Sequence, residues 1–249
     1  MTDPAIETTG LTKRFGDTPV VSGIDLSVPP ESVYGFLGPN GAGKTTTMRM
    51  LTTLIRPTSG SAHVAGHPIH DRDAVVPHIG YLPEEPPLYD ELTAREQLRY
   101  IAGLRDMNEM VMNDRIDAFL DRFDLLDAAN DRIDTYSKGM KQKTALIQTI
   151  LHEPDVVFLD EPTSGLDPRA ARTVRDLIAE LTAEGMTVFL STHILPVVEQ
   201  VADTVGVLHD GTLVAEDTPE RLTHRAEQER TLEDVFLDVT SDERAVIER

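Results

Sequence analysis

Gly38-Pro39-Asn40-Gly41-Ala42-Gly43-Lys44-Thr45-Thr46 lies between the apolar run Val33–Leu37 and a segment of helical pattern over about residues 44–54. Its spacing is G-x-x-x-x-G-K-[ST], and a strand before with a helix after is the setting this motif requires. Glycines let backbone N–H groups close around a polyphosphate, and the N-terminal end of the following helix favours the same negative charge. The motif assigns Lys44 to the β- and γ-phosphates and the Thr45 hydroxyl to Mg²⁺.

Further along the chain, Val156-Val157-Phe158-Leu159 is a buried-type strand that ends on two carboxylates, Asp160 and Glu161. By itself such a pair is an ordinary turn. Behind a phosphate-binding loop, the first carboxylate is placed to hold Mg²⁺ and the second to act as general base on an attacking water. Residues 6–11 and 20–28 are β-like, the second run closed by Pro29-Pro30; residues 60–66 and Ile79–Leu82 follow as strands. From Thr93 the pattern turns helical, with Thr93 and Glu96 at capping-box spacing. Met112, Ile116, Phe119, Leu120 and Phe123 then form an apolar stripe that reads as core packing. A helix follows Ser137, Asp167-Pro168 supplies an N-cap and first-turn proline for another, and residues 187–190 and 205–208 are further apolar strands. Alternating strands and helices with unbroken apolar strands predict an α/β fold with a mostly parallel sheet covered on both faces. The expected organisation is one domain over residues 1–220, with a helical insert at about 86–140 and a charged helical tail over 221–249.

Composition sets the boundaries. The chain has 249 residues, of which 40% are hydrophobic, enough for a sizeable core and too many for disorder. It has no cysteine, which removes disulfides, thiol nucleophiles and Cys-based metal sites. No run reaches the ~18 apolar residues of a spanning helix, and the opening MTDPAIETTG lacks the features of a secretory signal, so a cytoplasmic location is expected. Against 23 basic residues stand 43 acidic ones, a net charge of −20, which disfavours nucleic acid and anionic lipid surfaces as partners. Only five residues are lysine: Lys13, Lys44, Lys138, Lys141 and Lys143. A self-repelling, lysine-poor acidic surface suits a high-salt interior.

Three more segments narrow the reading: Tyr136-Ser137-Lys138-Gly139-Met140-Lys141-Gln142, Ser164-Gly165-Leu166-Asp167 and Ser191-Thr192-His193. Together with residues 38–46 and Asp160-Glu161, in this order over about residues 5–215, they resemble the ATPase subunit of ABC transporters. The resemblance implies a P-loop NTPase core of the ABC ATPase type, an N-terminal antiparallel β subdomain and an inserted α-helical subdomain. It implies ATP and Mg²⁺ as ligands, bound across residues Gly38, Pro39, Asn40, Gly41, Ala42, Gly43, Lys44, Thr45 and Thr46. Phe15 corresponds to an aromatic that stacks on adenine, although by itself it reads as core. Ser137 and Gly139 correspond to the signature motif, which binds the γ-phosphate held by a second subunit. There the family pattern Leu-Ser-Gly-Gly-Gln is departed from at Lys138 and Met140. Asp167 corresponds to the loop coupling two sites, and His193 to a switch residue near the γ-phosphate, although a single histidine at a strand end is ordinarily structural.

Glu84, in Gly80-Tyr81-Leu82-Pro83-Glu84, stands where the family usually has glutamine. It reads either as a more direct Mg²⁺ ligand or as an ordinary loop carboxylate beside Glu85. Glu84, the signature variant and Leu232-Glu233-Asp234-Val235-Phe236 together resemble the exporter branch of the multidrug or sodium efflux type. The implied partners are an integral membrane permease, docked near residues 84–89 and the helical insert, and a second ATPase chain, identical or similar. That places the protein on the inner face of the membrane. A non-transport ABC-type ATPase and a P-loop small-molecule kinase are the rival readings; the kinase leaves the signature and Ser191-Thr192-His193 unexplained.

Overall fold

A computed structural model describes residues 3–224. Strands β1 (Ile6–Phe15) and β2 (Thr18–Val28) form a hairpin, β3 (Val33–Leu37) runs through residues 38–43 into helix α1 (Lys44–Leu51), and β4 (Ser59–Val64) and β5 (His67–Pro68) follow. A short α2 (Arg72–Val75) precedes β6 (Ile79–Leu82), and three helices come next: α3 (Ala94–Leu104), α4 (Glu109–Arg122) and α5 (Lys138–Ile150). Alternation then resumes with β7 (Val156–Asp160), α6 (Pro168–Ala183), β8 (Thr187–Thr192), α7 (Leu195–Val201), β9 (Thr204–His209), β10 (Thr212–Asp217) and α8 (Pro219–His224).

Two sheets result. An antiparallel one has the order β2-β1-β4-β5, and a six-stranded one the order β10-β9-β3-β8-β7-β6. Strands β9, β3, β8, β7 and β6 of the second run parallel, and β10 is its antiparallel edge. The central strands are apolar without a break because both faces are covered. Val33, Val157, Leu159, Val188 and Leu190 pack with the helices α3 to α6. Their neighbours Tyr34, Phe36, Val156, Phe158 and Phe189 pack toward α1 and the antiparallel sheet. On that side the rings of Tyr34 and Phe189 stack at 5.3 Å, with Phe36 and Phe158 tilted against Phe189.

The helical insert is built as its sequence suggested. Thr93 and Glu96 form the reciprocal capping box of α3, and Met112, Ile116, Leu120 and Phe123 are buried in the main core with Phe119 packed beside them. Three differences stand out. Helix α1 stops at Leu51, short of residue 54, because Thr53 adopts a left-handed φ of 63° while the N–H groups of Leu54 and Ile55 turn back to the carbonyl of Arg49. The first two strands are long, ten and eleven residues, with register shifts around Leu11 and Lys13 that bend the hairpin. Strand β10 was not anticipated: its side chains alternate between half-buried and exposed, and it is recruited through the turn at Asp210-Gly211, both at positive φ. Leu232, Val235, Phe236 and nearly all of the expected tail lie outside the described residues.

Candidate nucleotide site

Parallel strands end at one edge of the sheet, and the loops leaving that edge build the site. Residues 38–43 leave β3 and turn with Gly41 at φ 86° and Gly43 at φ 106°, values that side chains rarely adopt. Gly38 and Gly43 are also sterically required, since a Cβ would come within 2.5 Å of the Leu208 carbonyl oxygen and 2.7 Å of that of Val20. Gly43 caps α1, whose first residue is Lys44. The buried Lys44 ammonium donates to the carbonyls of Gly38 at 2.7 Å and Pro39 at 3.2 Å, and lies 3.6 Å from a Glu161 carboxylate oxygen. Ala42 is buried beneath the loop, accepting from the Gly211 N–H.

Asp160 and Glu161 leave the end of β7 in different directions. Asp160 is 2% exposed; one of its oxygens accepts the Ser191 hydroxyl, while the other, Oδ2, has no partner. A carboxylate oxygen buried and unpaired is expensive unless a cation or its water meets it. Glu161 has a left-handed φ of 51°, a strained backbone of the kind that accumulates at functional sites. Its carboxylate is held at both oxygens: Oε2 accepts from the Thr192 hydroxyl at 3.0 Å, and Oε1 from His193 Nδ1 at 2.8 Å. An ionised carboxylate only accepts, so Nδ1 carries the proton in this contact. His193 itself is 45% exposed, against 7% for Glu161.

A cleft of about 300 Å³ is lined by Asn40, Gly41, Gly43, Lys44, Thr45, Thr46, Glu84, Asp160 and Glu161 together with Val20. Most of the residues singled out from the sequence therefore converge on one space. Thr45, Asp160 and Glu84 each contribute oxygen atoms to this lining, the donor type that Mg²⁺ prefers, while among the described residues no three carboxylate or imidazole side chains are gathered closely enough to hold a metal ion by themselves. Glu84 is exposed and belongs to the lining of this cleft.

Phe15, Gly38, Pro39, Ala42, Ser137, Gly139, Asp167 and His193 are not among the residues lining this cleft. Phe15 closes β1 with its ring 53% exposed. Ser137 caps α5, accepting from the Met140 N–H, and Gly139 lies in the first turn with nothing nearer than 3.5 Å to a would-be Cβ. Asp167 caps α6 by accepting from the N–H groups of Arg169 and Ala170 at 2.9 and 3.0 Å, and the Ala170 bond above all lowers its pKa from the usual aspartate value. A second cleft of about 440 Å³ adjoins the first through Glu84 and Glu161 and is lined on its far side by Lys138, Lys141, Gln142 and Ser164.

Sequence reasoning passed over Ser191 and Thr192 as side chains, although both are wholly buried and each fixes one of the two carboxylates. Two polar residues closing an otherwise apolar strand were the available signal. It also passed over the buried Gln97, which donates to Gln148 at 3.0 Å and to the Pro87 carbonyl at 3.2 Å, and accepts from the Tyr89 N–H. That amide pins the loop after Glu84 to the helical insert.

Comparison with known proteins agrees with this geometry. The family model described as ABC transporter matches residues 21–164. The chain is 41% identical over 223 residues to the daunorubicin resistance ATP-binding protein DrrA3 of Streptomyces coeruleorubidus, covering 89% of this chain and 71% of that protein. It is 41% identical to the daunorubicin/doxorubicin resistance ATP-binding protein DrrA of Streptomyces peucetius, over 86% of this chain and 65% of the relative. A solved structure of the ATP-binding subunit of an ABC transporter superposes with a TM-score of 0.85 at 30% identity, covering 94% of this chain and 99% of that one. The phosphate-binding loop, the paired carboxylates and these likenesses agree: the chain belongs to the ABC transporter family, as one of its ATP-binding ATPase subunits.

Proposed function

We propose that this chain binds Mg²⁺-ATP in the cleft behind residues 38–46, hydrolyses it with Glu161 as general base, and uses the cycle to drive a separate membrane permease in export. The observation that carries the reading is the Glu161 carboxylate, buried beside Lys44 and fixed at both oxygens by Thr192 and His193. A base held in one orientation loses little entropy in reaching the proton it takes.

In this reading residues 38–43 cradle the β- and γ-phosphates with backbone N–H groups, and Lys44 exchanges its loop carbonyls for phosphate oxygens. Thr45, Asp160 and Glu84 hold Mg²⁺, which when bound neutralises charge on the phosphates. Water attacks the γ-phosphorus in line, its proton passes to Glu161, and the bond to the β–γ bridging oxygen breaks to leave ADP and phosphate. Lys44 and His193 stabilise the charge that develops. Phe15 offers a face for the adenine. Ser137, Gly139 and Asp167 lie off the cleft of their own chain, which supports the reading that they serve the ATP of a second chain. Two ATP molecules would then be shared between two such subunits.

Export is supported by the names of the resistance relatives. No helix among the described residues is long and apolar enough to cross a membrane, so in this reading the pathway belongs to another polypeptide. Its docking surface is the loop of residues 84–89 with α3, where Tyr89, Tyr100 and Leu104 are exposed. The domain limits, 1–220 with a tail beyond, are part of the same proposal.

Size-exclusion with light scattering on Glu161→Gln, with and without ATP in molar KCl, tests the site. Loss of the base is expected to reduce turnover by about 10²–10⁴-fold while ATP binding persists and converts monomer to dimer. ATP bound to a persistent monomer would overturn the shared site, and undiminished turnover would remove Glu161 from the chemistry.

A further inference from the structure

We infer that Lys13 is the positioning residue of the base platform, holding the Phe15 ring by a cation–π contact so that one face is fixed and the other is left for the adenine. The inference rests on the reading of Phe15 as that platform. Lys13 and Phe15 are two apart on β1 and so emerge on the same side of the strand. The Lys13 ammonium lies 5.0 Å from the centroid of the Phe15 ring, within cation–π range. It is anchored there by donating to the carbonyl of Arg56 at 2.7 Å, in the segment after α1. Phe15 is half exposed at the strand's end, and a ring in that position otherwise turns freely about its side-chain bonds. Ordering it before the base arrives lowers the entropy lost on binding. Drawing ring electron density toward the ammonium also makes the opposite face a better surface for an electron-rich purine.

The distribution of lysine supports a functional use. In a chain with only five lysines and a net charge of −20, Lys44 lines the phosphate cleft and Lys138 and Lys141 line the space beside it. Lys13 stands near the end of β1, two residues before the ring read as the base platform. Arginines carry nearly all the remaining positive charge, so three of the five lysines gather at the two adjoining clefts.

Isothermal titration of the wild type, Lys13→Met, Lys13→Arg, Phe15→Ala and the double variant tests this. The probes are the non-hydrolysable β,γ-imido analogue of ATP and inorganic tripolyphosphate, both with Mg²⁺. Phe15→Ala is expected to weaken binding of the ATP analogue by about tenfold, as loss of one base–aromatic stack does. Lys13→Met is expected to weaken it by about three- to tenfold, with tripolyphosphate unchanged, Lys13→Arg near the wild type, and no further loss in the double variant. In turnover, the Lys13→Met effect falls on KM and not on kcat. A Lys13→Met protein that binds the ATP analogue as the wild type does, while Phe15→Ala does not, overturns the inference and leaves the platform. Equal weakening of tripolyphosphate also overturns it, because Lys13 would then act on the fold or the phosphates. An unaffected Phe15→Ala protein overturns the platform reading and this inference together.

Discussion

At the scale of single residues, the chain concentrates its unusual chemistry in a few buried polar groups. Asp160 keeps one oxygen unpaired and Glu161 keeps none, so two adjacent carboxylates stand in different hydrogen-bonding states. Glu84 stands at the rim of their cleft, where a third carboxylate adds oxygen donors for a hard cation and also negative charge against phosphate. Replacing it tests that balance: Glu84→Gln is expected to raise the Mg²⁺ concentration needed for half-maximal ATPase activity by a few-fold, with nucleotide binding largely kept. Superimposable Mg²⁺ titrations would remove Glu84 from the metal's surroundings. His152 offers a test of a different kind. Its Nε2 contacts the Ile79 carbonyl at 2.9 Å, its Nδ1 is buried without a partner, and burial first, then the Arg105 guanidinium, press its pKa down to about 4. Folded chains therefore keep His152 neutral where unfolded chains protonate it. Above about pH 6.5 this has no effect, and as pH falls from there toward 4 the native state loses up to about 3 kcal/mol relative to the unfolded one. Urea unfolding at pH 7.5 and 4.5 should show a smaller acid loss for His152→Gln than for the wild type; equal losses would contradict this.

At the scale of elements, the ends of helices were the most legible features. Thr93, Ser137 and Asp167 each cap the helix their sequence position suggested, because a cap is a local bond between a side chain and backbone two or three residues on. The end of α1 was less legible, since the residues that stop it have no breaker signature and the stop depends on where β4 must begin. Strand β10 was missed because its apolar stretch, Leu213-Val214-Ala215, is only three residues long with Val214 exposed; pairing with β9 makes it a strand. Close approach between elements is likewise a tertiary matter. At Gly80 of β6, a Cβ would lie 2.3 Å from the Thr149 carbonyl oxygen of α5. Neither backbone can yield without disturbing the core, so Gly80→Ala is expected to destabilise the protein by about 1–3 kcal/mol. Chemical denaturation measures the change, and because β6 carries the chain toward Glu84, ATPase activity should fall with it. An unchanged unfolding midpoint would mean that the two elements slide apart freely.

At the scale of the whole molecule, charge is the dominant variable. A net charge of −20 on 249 residues makes the folded surface self-repelling in dilute buffer, and the screening length falls to about 3 Å at 1 M salt. The melting temperature is therefore expected to rise by several degrees from 50 mM to molar KCl, with unfolded protein recovering on salt addition; a flat profile would show that the acidic surface is merely solvated. By itself the sequence determined the central alternation of strands and helices, the doubly covered parallel sheet, and the glycine-rich loop that joins β3 to α1. Those follow from short-range patterns: unbroken apolar runs, caps, and the glycine spacing of residues 38–46. Only the tertiary structure decided which side chains meet. The bonds from Ser191 to Asp160 and from His193 to Glu161 join residues 31 and 32 apart, at and just beyond the ends of the neighbouring parallel strands β7 and β8, whose register no local pattern encodes. The unpaired oxygen of Asp160 and the clamp on Glu161 exist because the parallel pairing of β7 with β8 brings the ends of those two strands to the same edge of the sheet.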